Sequence, residues 1–182
     1  MKRFILTGSP GAGKTVILRQ LELEGFGVVE EAATDVIAVR HAQGIFEPWT
    51  EPAFIDDVVA LQRKRRIRAA HFPDVVQIHD RSAFCTAALA IYLGYPASSV
   101  LTDELGRLKT EKVFEKGVLF VRNLGFVAPT GARRISLEEA LRFERIHAEV
   151  YLRHGFEITY IEPGILADRV EAIKLAMGVN EK

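Results

Sequence analysis

Cysteine is nearly absent from this 182-residue chain. The one thiol, Cys85, cannot close an internal disulfide, so a packed core must hold the fold, and a reducing compartment suits it. Its neighbours Ala83, Phe84, Ala87 and Ala88 mark it as a buried thiol rather than a nucleophile. An excess of either charge is also missing: 24 Lys and Arg balance 24 Asp and Glu. Without a net field the chain has no global attraction to nucleic acid or to a membrane surface. No apolar run reaches the ~20 residues of a membrane span. The N-terminus passes straight into an apolar strand, leaving no room for a secretion signal. A cytoplasmic protein is expected. The five histidines, His41, His71, His79, His147 and His154, show no metal-ligand spacing with Cys85 or one another, which sets zinc aside. Repeats, low-complexity tracts and linkers are lacking too. A single domain over residues 1–182 follows, long enough to bury a core unaided.

What is present starts at the N-terminus. Phe4, Ile5 and Leu6 form a short apolar run that stops at Gly8. Residues 8–15, Gly8-Ser9-Pro10-Gly11-Ala12-Gly13-Lys14-Thr15, fit G-x-x-x-x-G-K-[ST]. Val16, Ile17, Leu18 and Leu21 then continue at roughly helical spacing. Strand, glycine loop and helix form the context in which this pattern cradles phosphate. The glycines let successive N–H groups turn inward, and the new helix aims its positive end at the same point. Lys14 can reach the β- and γ-phosphates, and the Thr15 hydroxyl can ligate Mg²⁺. A simple glycine turn would account for Gly8 and Gly13 but not for Lys14 and Thr15 beside them.

Further along, the spacing predicts strands near 28–31, 75–79, 118–121 and 156–161, separated by helices. Thr50 is positioned to cap a helix running to about His71, and Ser98 or Ser99 to cap one over 97–116. Ser136 with Glu139 forms a capping box that opens a helix lasting to His154. Five short apolar strands alternating with helices predict a three-layer α/β/α fold with a parallel sheet. Ligands of such sheets lie beyond the carboxyl ends of the strands. That rule gathers residues 8–15, Glu30, Glu31, Asp80, Arg81, Arg122 and Asn123 along one edge.

Asp80 at a strand end, facing the phosphate loop, is placed to hold Mg²⁺ or its waters. The alternative is a cap for the following helix, where Ser82 competes. Arg81 is either a phosphate clamp or an ion-pair partner. Glu30 and Glu31 point to opposite faces if their strand runs through both, so one of them can face the cleft and accept a proton from a hydroxyl. Arg133 and Arg134 lie in a loop with Gly125, Pro129 and Gly131, ahead of the capped helix. Such a loop can close over a nucleotide and bring a guanidinium to the transferred group. In the run Arg63-Lys64-Arg65-Arg66, four successive residues spread round a helix and part must face solvent. A nucleic-acid partner is therefore not expected. Gln62, Arg65 or Arg66, turned inward, would hold polar groups of a substrate.

GSPGAGKT at 8–15, VVEEAATDVI at 28–37, DRS at 80–82 and GARRISLEEALRFERIHAEVYLRHGFEI at 131–158 occur in an order covering most of the chain. On these segments the chain resembles the small AAA-type P-loop ATPase and kinase family, with nicotinamide-riboside-kinase-like domains and, more loosely, nucleoside and nucleotide kinases. The resemblance implies a sheet in the order 2-3-1-4-5, ATP as donor with Mg²⁺, and a short arginine-bearing lid near 124–135. It implies phosphate binding by Gly8 to Val16, with Lys14 contacting the phosphates and Thr15 and Asp80 at the metal. Glu31 would lie in the acceptor region, and Glu31 or Asp80 would take the proton. One departure is Thr34, where many relatives carry Arg. The expected activity is transfer of the γ-phosphoryl group of ATP to a hydroxyl of a small metabolite. The alternative is a regulatory NTPase that hydrolyses ATP or GTP slowly and acts through a protein partner. No N/T-K-x-D stretch follows the fourth strand, which weakens a GTP-specific switch. Acceptor identity and oligomeric state are not encoded in any of these motifs.

Overall fold

The computed structural model describes residues 1–8, 10–124 and 136–179. Strands β1 (Lys2–Thr7), β2 (Gly27–Val29), β3 (Val76–Asp80), β4 (Gly117–Val121) and β5 (Glu157–Ile161) form one parallel sheet, in the order β2-β3-β1-β4-β5. The helices are α1 (Lys14–Leu23), α2 (Ala33–Ala42), α3 (Ala53–Ala69), α4 (Ala83–Leu93), α5 (Ser99–Thr110), α6 (Leu137–Arg153) and α7 (Leu166–Ala176). Parallel neighbours can be joined only by crossovers, which lay helices over both faces. The two-residue side-chain alternation of β1 divides the core. Ile5 packs with Val58, Phe84, Leu101 and Tyr151 under α3 to α6. Phe4 and Leu6 pack with Ile17, Leu21, Val170 and Ile173 under α1 and α7. This is the expected three-layer α/β/α fold with the strand order that the family resemblance implied. Among the described residues no helix is long and apolar enough to cross a membrane.

Several local expectations hold. Ser136 accepts from Glu139 N–H at 3.1 Å while the Glu139 carboxylate accepts from Ser136 N–H at 2.8 Å, completing the capping box of α6. Ser98, not Ser99, caps α5, accepting from Leu101 N–H. Others are corrected. Thr50 does not cap α3: it ends a 3-10 turn at Pro48–Thr50, and its hydroxyl donates to the Glu47 carbonyl at 2.7 Å. Strand β2 stops at Val29, so strand alternation does not govern Glu30 and Glu31. Helix α5 stops at Thr110 rather than Lys116. Lys112 takes the left-handed conformation (φ 48), and the Val113 and Lys112 amides bond back to Leu108 and Lys109. That is a Schellman ending without its usual glycine, which is why no glycine announced it.

Two histidines are sealed into this core. His79 on β3 meets the edge of the Phe114 ring (centroids 5.0 Å), and His147 on α6 donates from Nδ1 to the Phe143 carbonyl at 2.9 Å. Burial pushes both down to about 3, helped by Arg3 and Arg66 around His79 and by Arg81 beside His147. Both are therefore neutral in the native state at pH values where the unfolded chain binds their protons. Each contributes stability that is full above the unfolded pKa and is lost as pH falls, at about 1.4 kcal/mol per pH unit. Asp80, whose pKa burial raises, works in the opposite sense. The urea midpoint should thus fall steadily from about pH 6.5 to about pH 4.5. His79→Phe, which keeps the ring contact, should remove at least half of that slope, because Asp80 already offsets part of what the two histidines contribute. An unchanged slope in the variant would show that His79 is not buried neutral.

Candidate functional site

The site begins where β1 runs out. Gly8 has φ 135, and a Cβ there would overlap the Val121 carbonyl oxygen at the end of β4. Only glycine lets the loop leave the sheet so close to its neighbour. Gly13 (φ 83) is the N-cap of α1 and supplies no side-chain cap. A helix start without a side-chain cap, with the helix dipole behind it, suits an anion. Pro10, Gly11 and Ala12 form the turn between, while Ser9 lies outside the described residues. Lys14 is folded back over the loop, its Nζ donating to the Gly8 carbonyl at 3.1 Å. Thr15 and Val16 are exposed at the start of the helix.

Across the sheet, the β1–β3 register sets Leu6 opposite Asp80. Asp80 is buried beside the phosphate loop, and its Oδ1 has no hydrogen-bond partner. Burial raises its pKa, against the pull of the Lys14 and Arg81 charges. Asp80 does not cap α4. The N-cap there is Ser82, which also makes no side-chain cap; its hydroxyl sits 3.2 Å from the Tyr151 hydroxyl. Arg81 leaves the sheet in the left-handed conformation (φ 72), its N–H donating to the Leu6 carbonyl at 2.9 Å. Its Nη1 donates to His147 Nε2 at 3.3 Å. The Nδ1 proton of His147 is committed to Phe143, so Nε2 is free to accept, and a neutral imidazole steers the guanidinium.

The two glutamates part company after β2. Glu30 is exposed and pairs with Arg19 on α1. The Glu31 carboxylate accepts from the Ala33 and Thr34 N–H groups at 2.8 and 2.9 Å, fixing it at the N-terminus of α2. Its charge is felt by Lys14 and by Asp80. Of the basic run, Arg63 and Lys64 are exposed and Arg66 is buried. Arg65 bonds to the Glu30 and Glu31 carbonyls and to Asp35, holding the β2–α2 corner rather than reaching into the cleft. Beneath Asp80 the cleft narrows to about 20 Å³, room for one water, among Gln62, Arg66, His79 and Ser82. The Gln62 side-chain Oε1 accepts from the Thr86 hydroxyl at 2.9 Å. Arg133 and Arg134, with the expected lid beyond Leu124, lie outside the described residues. Two residues not singled out by motif also reach the site, His147 and Arg169. Their signal is purely tertiary, since each meets the loops from a helix far away in sequence.

A family described as AAA domain matches residues 3–169. The chain belongs to this family. Among solved structures, the NadR protein in complex with NAD and AMP-PNP aligns with a TM-score of 0.67 and 18% identity, over 100% of this chain and 51% of that one. The chain thus spans about half the length of NadR. Deoxyadenosine kinase from M. mycoides with bound dATP aligns with a TM-score of 0.61 and 13% identity, over 97% and 99% of the two chains. At such identities the likeness is one of fold. No curated protein matches the chain in sequence. Within the AAA domain family, then, this chain shares its fold with these two structures.

Burial, with the Arg81 charge behind it, lowers the Lys14 pKa to about 7, although Asp80 and Glu31 raise it. An anion in the loop favours the protonated form, so binding must raise this pKa and take up a proton wherever free Lys14 is neutral. Calorimetry of Mg-ATP binding in buffers of different ionisation heat should show uptake near one proton at about pH 8.5 and little at about pH 6. Affinity should fall by up to about tenfold per unit above pH 7. No uptake at the higher pH would mean that Lys14 does not titrate against the ligand.

Proposed function

We propose that this protein is a Mg²⁺-dependent phosphotransferase that moves the γ-phosphoryl group of ATP to a hydroxyl of a small, nucleoside-like metabolite. The observation that carries the reading is Asp80: a buried carboxylate with an unpartnered oxygen, in register with the strand that feeds the phosphate loop. A desolvated acidic oxygen and a Thr15 hydroxyl exposed at the start of α1 are hard oxygen donors of the kind Mg²⁺ prefers, so the residues present fit the ion. Bound there, Mg²⁺ would neutralise charge on the phosphates. The captures of NadR with AMP-PNP and of deoxyadenosine kinase with dATP support nucleotide as ligand, and the latter a nucleoside-like acceptor.

In this reading the amides of residues 11–16 and Lys14 hold the polyphosphate. Thr15 and Asp80 hold the metal. Arg81, steered by His147, stabilises negative charge on the acceptor side of the phosphate. The acceptor oxygen forms a bond to the γ-phosphorus as the bond to the β–γ bridging oxygen breaks, leaving ADP. The hydroxyl proton passes to Glu31, whose carboxylate α2 orients; Glu30 is tied up with Arg19. Arg133 or Arg134 neutralises the transferred group from a lid over 124–135, within a single domain of residues 1–182.

ADP release, measured with ATP and Mg²⁺ across nucleosides, sugars and vitamins, should rise with one class of acceptor. Asp80→Asn should then lower kcat by at least about a hundredfold while changing ATP affinity less than tenfold, since the lost charge acts mainly in the transition state. Stimulation by no metabolite, but by a macromolecular fraction of cell extract, would replace this reading with the regulatory NTPase. Unchanged turnover in Asp80→Asn would remove the metal role from Asp80.

A further inference from the structure

Arg169 lies in the first turn of α7, is 5% exposed, and reaches back across 157 residues of sequence to the phosphate loop. Its Nη2 donates to the Ala12 carbonyl oxygen at 2.8 Å and, at 3.4 Å, to that of Arg122 just beyond β4. Its Nη1 lies 3.0 Å from where a Cβ on Gly13 would stand. A guanidinium is thus wedged between the glycine turn and the end of the neighbouring strand. Burial lowers its pKa, and its Nε has no partner. Packing alone does not account for a charge held in this way, because an apolar side chain would fill the same space without the desolvation cost.

The peptide geometry supplies the account. A trans peptide points its C=O and its N–H in opposite directions. Tethering the Ala12 oxygen to Arg169 turns the Gly13 N–H the other way, away from the Arg169 guanidinium. A hydrogen bond from a cation to that oxygen also polarises the amide, making its N–H a better donor to an anion. Gly13 joins loop to helix at φ 83, where a side chain would be strained and would press on the Arg169 guanidinium. We propose that Arg169 is a positioning residue for polyphosphate: from the last helix it presets the Ala12–Gly13 peptide so that the Gly13 N–H faces the bound anion. The role rests on the phosphate-binding reading above.

Inorganic tripolyphosphate, which lacks base and sugar, isolates this contact. Calorimetry gives its Kd for the full chain, for Arg169→Gln and for Arg169→Lys; ¹⁵N-glycine labelling follows the Gly13 amide, and urea unfolding reports stability. Arg169→Gln should bind at least about tenfold more weakly, the loss expected for one charge-assisted hydrogen bond. Its Gly13 amide should lack the downfield shift that tripolyphosphate produces in the wild type, and Arg169→Lys should recover part of the affinity. A glutamine variant with unchanged Kd and an unchanged Gly13 shift overturns the proposal, whether or not its stability falls. Should that variant not fold, Arg169→Lys decides. Its ammonium lacks the planar edge of a guanidinium, so Kd should rise by at least about threefold, and wild-type values of Kd and shift overturn the role. Wild-type protein that binds neither tripolyphosphate nor ATP refutes the phosphate reading itself, whereas failure of the Arg169 role alone leaves wild-type binding intact.

Discussion

The parallel register between β1 and β3 is the constraint on which the site depends. It sets Leu6 opposite Asp80, so the strand that ends in a glycine loop lies beside the strand that ends in a carboxylate. On the other side β4 brings the Val121 carbonyl against Gly8, which leaves no room for a side chain there. The loop is therefore gripped from both neighbours where it leaves the sheet. Parallel strands present all their carboxyl ends on one side, and the charged residues of those ends have nowhere else to gather.

What gathers is electrostatically expensive. Lys14 and Asp80 are both buried, and burial moves their pKa values toward each other, the ammonium down and the carboxyl up. The apolar clusters on either side of the sheet hold the fold, whereas this edge works against it. A polyphosphate and a divalent cation would relieve both costs together, which is the usual relation between a binding site and the stability of its free form. His147 fits this pattern. It stays neutral because it is buried, and being neutral it can accept from Arg81 and hold it without adding a charge.

The surroundings are built to hold the loops rather than to fill space. Arg65 clamps the corner after β2 by its backbone carbonyls, Glu31 caps α2, and Arg169 braces the phosphate loop from α7. The Arg65 and Arg169 contacts join segments that approach only after the sheet has formed, whereas the Glu31 cap is local. The core packing of α6 and α7 thereby reaches the chemistry through single polar side chains.

The glycine loop, the alternation of strands and helices, the Ser136 capping box and the burial of Cys85 were all legible along the chain. Each depends on neighbours within a few residues, where sterics and local hydrogen bonding act directly. Asp80 could be placed beside the loop because strand ends in a parallel sheet must share an edge. The roles of Arg65 as a clamp, His147 as a partner of Arg81 and Arg169 as a brace could not be read in this way. Nor could the end of α5, where Lys112 adopts a conformation usually left to glycine. Local propensity determined which segments form and which residue types meet the phosphate. Only the tertiary structure decided which of several equivalent arginines and histidines turn inward, because that choice is settled by contacts between residues tens to more than a hundred positions apart.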